Sequence, residues 1–281
     1  MHLTDRRVIN MKILLNGVEP EDEDLKRILK SEALNFGYSI FETVKVKNSG
    51  FGFLREHLDR LNSSFKLLGI DERLEFEDIE RICRRTVEIN EFEDGALKIL
   101  AAKTGKGIDT VVSLRKADYP EEKYEKGFRL LISEVRRNEK SVMPKVKSSN
   151  YLDNIFEKRK AAEKGYDDIL FLNTEGKVAE TAIANIFFLK DGNLFTPDTD
   201  SGILNGIVRE KILEIAENTG IKTEEGKFSL EDLKNADEVF LTNSLMGVMP
   251  VSEIAGREYD FKDITGIRKK YEEILNEEIQ R

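Results

Sequence analysis

Three features close together in the chain have the chemistry of a covalent cofactor site. Lys147 heads the run KSSNYLDNIFEKRKAAEKG, and a lysine amine adds to an aldehyde once burial or nearby positive charge makes it less basic. Glu180 lies in DILFLNTEGKVAETAIANIFFLKDGNLFTP, where polar Glu180 and Thr181 interrupt an otherwise apolar meander. Asn205 and Gly206 lead straight into IVREKILEIAENTG, and the backbone N–H groups of Ile207 and Val208 at that helix start form a ready anion site. Taken singly, each has a plainer explanation: a lysine after a loop is usually a solvated charge, and a glycine before a helix is usually only a turn. Together, an amine for an aldehyde, a carboxylate for a ring nitrogen and a pocket for a phosphate describe a pyridoxal phosphate site.

The elements that must position these groups follow from pattern. After Lys147, the spacing of Leu152, Ile155, Phe156 and Arg159 predicts a helix. The Glu180 stretch reads as three short strands joined by tight turns at Asn173–Gly176 and Asp191–Gly192. The helix opened by Gly206 stops at Gly220. Upstream, KILLNG reads as an edge strand and turn, EPEDEDLKRILK as helix or loop, and NFGYSIFETVKVKNSG as a β-rich run. FLREHLDRLNSSFKLLGI is a helix with Leu58, Leu61, Phe65 and Leu68 on one face. A second helix, FEDIERICRRTVEINE, precedes a strand–loop–strand from Gly95 to Lys116. Near the end, Ser229 and Asp232 form a helix-capping pattern, EVFLT is a buried strand, and Asn243-Ser244 makes a polar turn. The closing helix ITGIRKKYEEILNEEI is amphipathic and is expected to pack on the second domain.

Composition narrows the class. The chain has 281 residues, 40% of them hydrophobic, enough for one large core or two ordinary ones. The net charge of −9 comes from interspersed acids and bases without a basic stripe, which argues against a nucleic-acid partner. No apolar run reaches the ~18 residues of a membrane span, and MHLTDRRVIN lacks the apolar centre of a signal peptide. The one cysteine, Cys83, falls in a helical pattern and forms no internal disulfide, which fits a reducing cytoplasm. No metal ligands are assigned.

Four ordered motifs go further: K-S-x-N-Y-L from Lys147, G-Y-D-D-I-L-F-L-N from Gly165, G-x-V-x-E-x-x-x-x-N-I-F from Gly176, and G-I-L-x-G-I-x-R from Gly202. In this order they resemble the class IV (fold type IV) pyridoxal phosphate enzymes. That family includes branched-chain and D-amino acid aminotransferases and 4-amino-4-deoxychorismate lyase. The resemblance covers nearly the whole chain from Met11. It implies an α/β fold of the α+β type in two domains with the cofactor between them, and a homodimer. The expected boundaries are a leader over 1–10, a smaller domain over 11–116, a charged linker over 117–127 and a larger cofactor-binding domain over 128–281.

The resemblance also implies roles. Lys147 would hold the cofactor and move the substrate's α-proton, with Lys145 as the nearby control. Glu180 would keep the ring nitrogen protonated. The H-x-x-R-L motif of His57, Arg60 and Leu61 would bring Arg60 to the phosphate, with His57 structural. Ile207, Val208 and Ser244 would complete the phosphate site, and Tyr151 and Asn185 would orient the ring and its supporting loops. Phe41 replaces a tyrosine that D-amino acid aminotransferases use, while Thr43 falls where the lyases carry a threonine; for Thr43, an ordinary strand threonine is an equal reading. Lys103, Lys106 and Arg115 stand where arginines commonly hold a substrate carboxylate. The turn N-S-L-M-G-V-M-P-V resembles the lyase branch and would place Leu245 and Met246 at the substrate. The expected reaction is therefore release of pyruvate and 4-aminobenzoate from aminodeoxychorismate, with transamination of branched-chain or D-amino acids as the alternative.

Overall fold

The computed structural model describes residues 11–280; the leader expected over 1–10 lies outside them. By internal contacts the chain divides into two units. The first comprises the described residues up to Asp118, together with Val146–Asn150 and the chain from Leu275 onward; the second comprises Tyr119–Lys145 and Tyr151–Ile274.

In the first unit, β1 (Leu14–Leu15), α1 (Asp22–Leu29) and α2 (Glu32–Phe36) precede β2 (Ser39–Lys47) and β3 (Gly50–Phe51). Two helices follow, α3 (Leu54–Leu67) and α4 (Phe76–Ile89), then the long hairpin of β4 (Gly95–Thr104) and β5 (Gly107–Arg115). The sheet runs β1-β5-β4-β2-β3 with antiparallel neighbours throughout. Strand β2 alternates: Ile40, Glu42, Val44 and Val46 are buried, while Phe41, Thr43, Lys45 and Lys47 are half-buried. The period of two puts these sets on opposite faces. Leu54, Leu58, Leu61 and Phe65 of α3 join Ile40, Val44 and Val46 in one core, which also takes in fully buried Cys83.

The second unit opens with α5 (Glu121–Lys126), inside the segment read from the sequence as a linker. Its Tyr124 hydroxyl donates to the Met246 carbonyl at 2.7 Å. Then come β6 (Phe128–Arg137), α6 (Leu152–Glu163), β7 (Asp168–Asn173), β8 (Val178–Thr181), β9 (Asn185–Lys190) and β10 (Asn193–Pro197). The rest is α7 (Ile207–Thr219), β11 (Thr223–Gly226), α8 (Leu230–Lys234), β12 (Glu238–Asn243), β13 (Gly247–Ile254), β14 (Arg257–Glu258) and α9 (Ile264–Ile279). These strands form a nine-stranded mixed sheet in the order β11-β10-β9-β12-β13-β6-β7-β8, with β14 added on β13.

The three strands expected around Glu180 are four. Thr181 breaks the middle one: its backbone N–H donates to the Ala184 carbonyl at 2.9 Å, and its hydroxyl accepts from the Ala184 N–H at 3.0 Å. This side-chain competition with the ladder ends β8 one residue after Glu180. The closing helix buries Ile264, Ile267 and Tyr271, and from Leu275 onward it belongs to the first unit. No described helix is long and apolar enough to cross a membrane.

Candidate active site

In the first unit, Lys147 is carried as a short extension of the sheet beside the start of β2. The Phe41 N–H donates to the Lys147 carbonyl at 2.8 Å and the Ser149 N–H donates to the Ser39 carbonyl at 3.0 Å. Asn150 closes the segment by donating to the Gly37 carbonyl at 3.0 Å. Gly37 has φ +67°, the left-handed region that favours glycine, and a Cβ there would lie 2.4 Å from Asn150 Oδ1 and displace that side chain. This pairing brings Lys147 Nζ to 4.9 Å from the centre of the Phe41 ring. Thr43 shares the Phe41 face, two residues along.

A second ammonium reaches the same ring: Lys98 Nζ, on β4 opposite Thr43, lies 4.5 Å from its centre. Burial, and then the charge of Arg115, hold Lys98 below the usual lysine range. Sequence reasoning missed Lys98 in favour of the hairpin lysines. Of those, Lys103 pairs with Glu72 at 3.3 Å and Lys106 is exposed in the β4–β5 turn. The signal for Lys98 was a lone charge inside the apolar strand GALKILAA.

Behind this face lies a buried ionic cluster. Arg60 donates from Nε to Glu42 Oε1 at 2.9 Å and from Nη2 to Oε2 at 2.6 Å, and His57 Nδ1 meets Oε2 at 2.7 Å. Glu42 and His57 are fully buried. Burial alone would raise the Glu42 pKa, but the Arg60 charge and the bond to His57 outweigh it and hold it at about 2. Burial pushes the His57 pKa down, against the pull of Glu42. The paired guanidinium of Arg60 is thereby fixed in direction, and its side chain is 13% exposed. Glu42 was missed in the sequence, although its place among Ile40, Val44 and Val46 put a carboxylate on the buried face of β2, where it needs a partner.

In the second unit, Glu180 Oε2 accepts from the Leu204 N–H at 3.1 Å, and Oε1 faces Arg137 Nη2 at 3.6 Å. Asn185, at the start of β9, donates to the Leu204 carbonyl at 2.8 Å. Its Oδ1 lies so near Gly206 that a Cβ there would be 2.1 Å away. Asn185 therefore braces the turn that starts α7. Arg209, 1% exposed, holds the same turn by donating to Asn205 Oδ1 at 3.1 Å and to the Pro197 carbonyl at 3.0 Å. Gly206 gives α7 no side-chain cap, so the first-turn N–H groups, Ile207 and Val208 included, keep the anion-binding character of a helix start.

Tyr151 donates to the Ala182 carbonyl at 2.9 Å; burial, and then Glu180, push its phenol pKa up. Asn243 Oδ1 closes the turn after β12 by accepting from Leu245 and Met246 N–H groups at 3.0 and 2.9 Å. Ser244 and Leu245 stand half-buried in that turn. Met246, expected at the substrate, is instead 3% exposed within the second unit's core.

Pyridoxal 5′-phosphate asks for an amine, an ionised carboxylate, and cationic or N–H donors for a phosphate. The first unit offers such an amine in Lys147 and a cation in Arg60, and the second offers a carboxylate in Glu180 and helix-start N–H groups after Gly206, so the residue types each unit carries fit the group.

Comparison with known proteins agrees with this chemistry. The amino-transferase class IV family profile matches residues 39–254. A putative branched-chain-amino-acid aminotransferase of Methanocaldococcus jannaschii is 34% identical over 274 residues, 94% of each chain. The aminodeoxychorismate lyase of Bacillus subtilis is 29% identical over 262 residues, 88% of each. Among solved structures, the branched-chain aminotransferase of the thermophilic archaeon Thermoproteus uzoniensis, with norvaline, superposes with a TM-score of 0.85 at 31% identity, covering 96% of each chain.

Proposed function

The chain belongs to class IV of the aminotransferases, enzymes that depend on pyridoxal 5′-phosphate, and we propose that within the class it is a lyase. Its reaction would convert 4-amino-4-deoxychorismate to 4-aminobenzoate and pyruvate, a step of folate synthesis. The observation that carries this reading is the half-buried face of β2, where Thr43 shares a face with Phe41, the ring whose centre lies 4.9 Å from Lys147 Nζ. Elimination needs a base for the proton on the amine-bearing carbon and a proton for the departing enolpyruvyl group. Lys147 and Thr43 supply that pair. A transaminase returns its proton through the lysine and has no leaving group to protonate.

Bound cofactor would supply the electron sink for the carbanion. Glu180 would hold the proton on its ring nitrogen. Arg60, the Ile207 and Val208 N–H groups and Ser244 would bind its phosphate, while Tyr151 and Asn185 fix the loops around it. Lys98 and Lys106 are cations for the substrate's carboxylates, with Phe41 and Leu245 as apolar wall and Met246 supporting the turn from the core.

A second reading, transamination of branched-chain or D-amino acids, is favoured by the 34% identity to the Methanocaldococcus jannaschii relative. Single-turnover spectra with L-leucine, D-alanine and aminodeoxychorismate separate the two. The lyase reading expects the ~410–420 nm band of bound cofactor to persist with both amino acids, while aminodeoxychorismate yields pyruvate and 4-aminobenzoate. Conversion of the band to ~330 nm by an amino acid alone would mark a transaminase. Lys147→Ala should remove the longer-wavelength band, and Lys145→Ala should leave it.

The exposed stripe of Leu152 (76%), Ile155 (45%) and Phe156 (56%) on α6 supports a homodimer, which light scattering would detect. A metabolic substrate and a single buried thiol support a cytoplasmic location.

A further inference from the structure

We propose that Arg137 is a positioning residue for Glu180, a fixed cation that sets the charge and direction of this carboxylate. The inference rests on the assignment of Glu180 to the cofactor's ring nitrogen.

Arg137 ends β6 and is held from three sides. Its guanidinium carbon lies 3.8 Å from the centre of the Phe171 ring on β7. Nη1 donates to Asn154 Oδ1 on α6 at 3.0 Å, and Nη2 faces Glu180 Oε1 at 3.6 Å. Asn154, 7% exposed, in turn donates to the Ala182 carbonyl at 2.6 Å. Ala182 is two residues beyond Glu180, so Asn154 ties the arginine to the segment that carries the carboxylate. An arginine with nothing to do here would extend to water along its flexible stem. This one keeps its side chain 14% exposed and its Nε buried without a hydrogen-bond partner, an arrangement that costs stability.

The geometry tells what the cation does. At 3.6 Å the pair is a charge contact rather than a short shared hydrogen bond, so Arg137 does not draw Glu180 fully onto itself. The Leu204 N–H fixes the other oxygen at 3.1 Å. With both side chains little exposed, the charge interaction is weakly screened. A fixed cation on that side favours the ionised carboxylate that an ion pair with a ring N–H requires.

The test is a double-mutant cycle read by cofactor binding rather than turnover. Arg137→Met and Arg137→Lys are made in the natural chain and in Glu180→Gln, and the apo-proteins are titrated with pyridoxal 5′-phosphate and with its 1-deaza analogue, which has carbon in place of the ring nitrogen. Arg137→Met should weaken pyridoxal phosphate about tenfold, the size of one partly buried charge contact, and Arg137→Lys should recover most of that. Neither substitution should alter binding of the deaza analogue, or of pyridoxal phosphate to Glu180→Gln, by more than about twofold. Equal losses with both probes, or in both backgrounds, would overturn the inference, because Arg137 would then act on the fold or the phosphate. If the natural chain binds both probes equally, the assignment of Glu180 itself fails, and this inference with it. Should Arg137→Met not fold, Arg137→Lys against Arg137→Gln carries the same comparison.

Discussion

In the first unit Glu42 takes two hydrogen bonds from Arg60, at 2.9 and 2.6 Å, and meets His57 at 2.7 Å. In the second, Glu180 accepts from the Leu204 N–H at 3.1 Å and faces Arg137 across 3.6 Å. Both are glutamate–arginine pairs, yet they divide the labour differently. Glu42 is fully buried and bidentately bound, so its task is to aim an arginine. Glu180 stands 3.6 Å from an arginine that is itself held by Phe171 and Asn154, which suits the proposal that there the carboxylate is the group that works. Residue types alone do not say which member of an ion pair holds the other; distance and burial do.

The sharpest way to break this contrast is to remove each carboxylate. Glu42→Ala removes the buried carboxylate that Arg60 and His57 share and should cost about 3–5 kcal/mol of stability in chemical denaturation; a loss under ~1 kcal/mol would mean the cluster is not structural. Glu180→Gln should keep the fold and bind cofactor, while turnover drops by about 100-fold or more, as for loss of one preorganised charge partner. Near-normal turnover would take Glu180 out of the mechanism.

Acid should separate the units next. The Glu42 pKa is held at about 2, below the ordinary value of 4.5, so its contribution is complete above 4.5 and is lost as pH falls toward 2. The His57 pKa is lowered from 6.5 by burial, so from 6.5 downward the unfolded chain binds a proton that the folded chain resists. Asp168 in the second unit has the opposite sign: burial raises its pKa, and acid relieves rather than adds strain. Hydrogen exchange should therefore show β2 and α3 losing protection at higher pH than β7. The reverse order would undo the comparison. The smallest effect expected is from Asn185→Ala, which removes one brace of the Gly206 turn and should cost about 1 kcal/mol, visible as a small fall in melting temperature and weaker inorganic phosphate binding.

Lys147, Glu180 and the Gly206 turn stand out in the sequence because each combines a reactive or conformational residue type with a fixed place in an ordered motif. Arg60 was legible only through its motif; by composition it is one more surface arginine. Arg137 gave no sign, since it sits in SEVRRNEKS beside Arg136 and nothing local tells which arginine turns inward. That choice is made by Phe171 and Asn154, distant in sequence. Met246 packs in the core, and the sequence could not tell this, because an apolar residue in a turn serves a core as readily as a substrate. Thr181 shows how a polar residue read as part of a strand can end it, by offering the backbone a closer partner than the ladder.

The placing of Val146–Asn150 and of the chain from Leu275 onward in the first unit has a consequence for synthesis. A chain emerging from the ribosome folds its N-terminal parts first where it can. Here residues up to Asp118 emerge without the segment that pairs with the start of β2 at Phe41. They also lack Asn276, which accepts from Lys47 Nζ at 2.7 Å. The Phe41 backbone group waits only for the 27 residues from Tyr119 to Lys145 to be passed, whereas Lys47 waits until nearly all of the second unit has been translated. The amine at Lys147 can thus pair with β2 midway through synthesis, while the segment from Leu275 onward completes the first unit last.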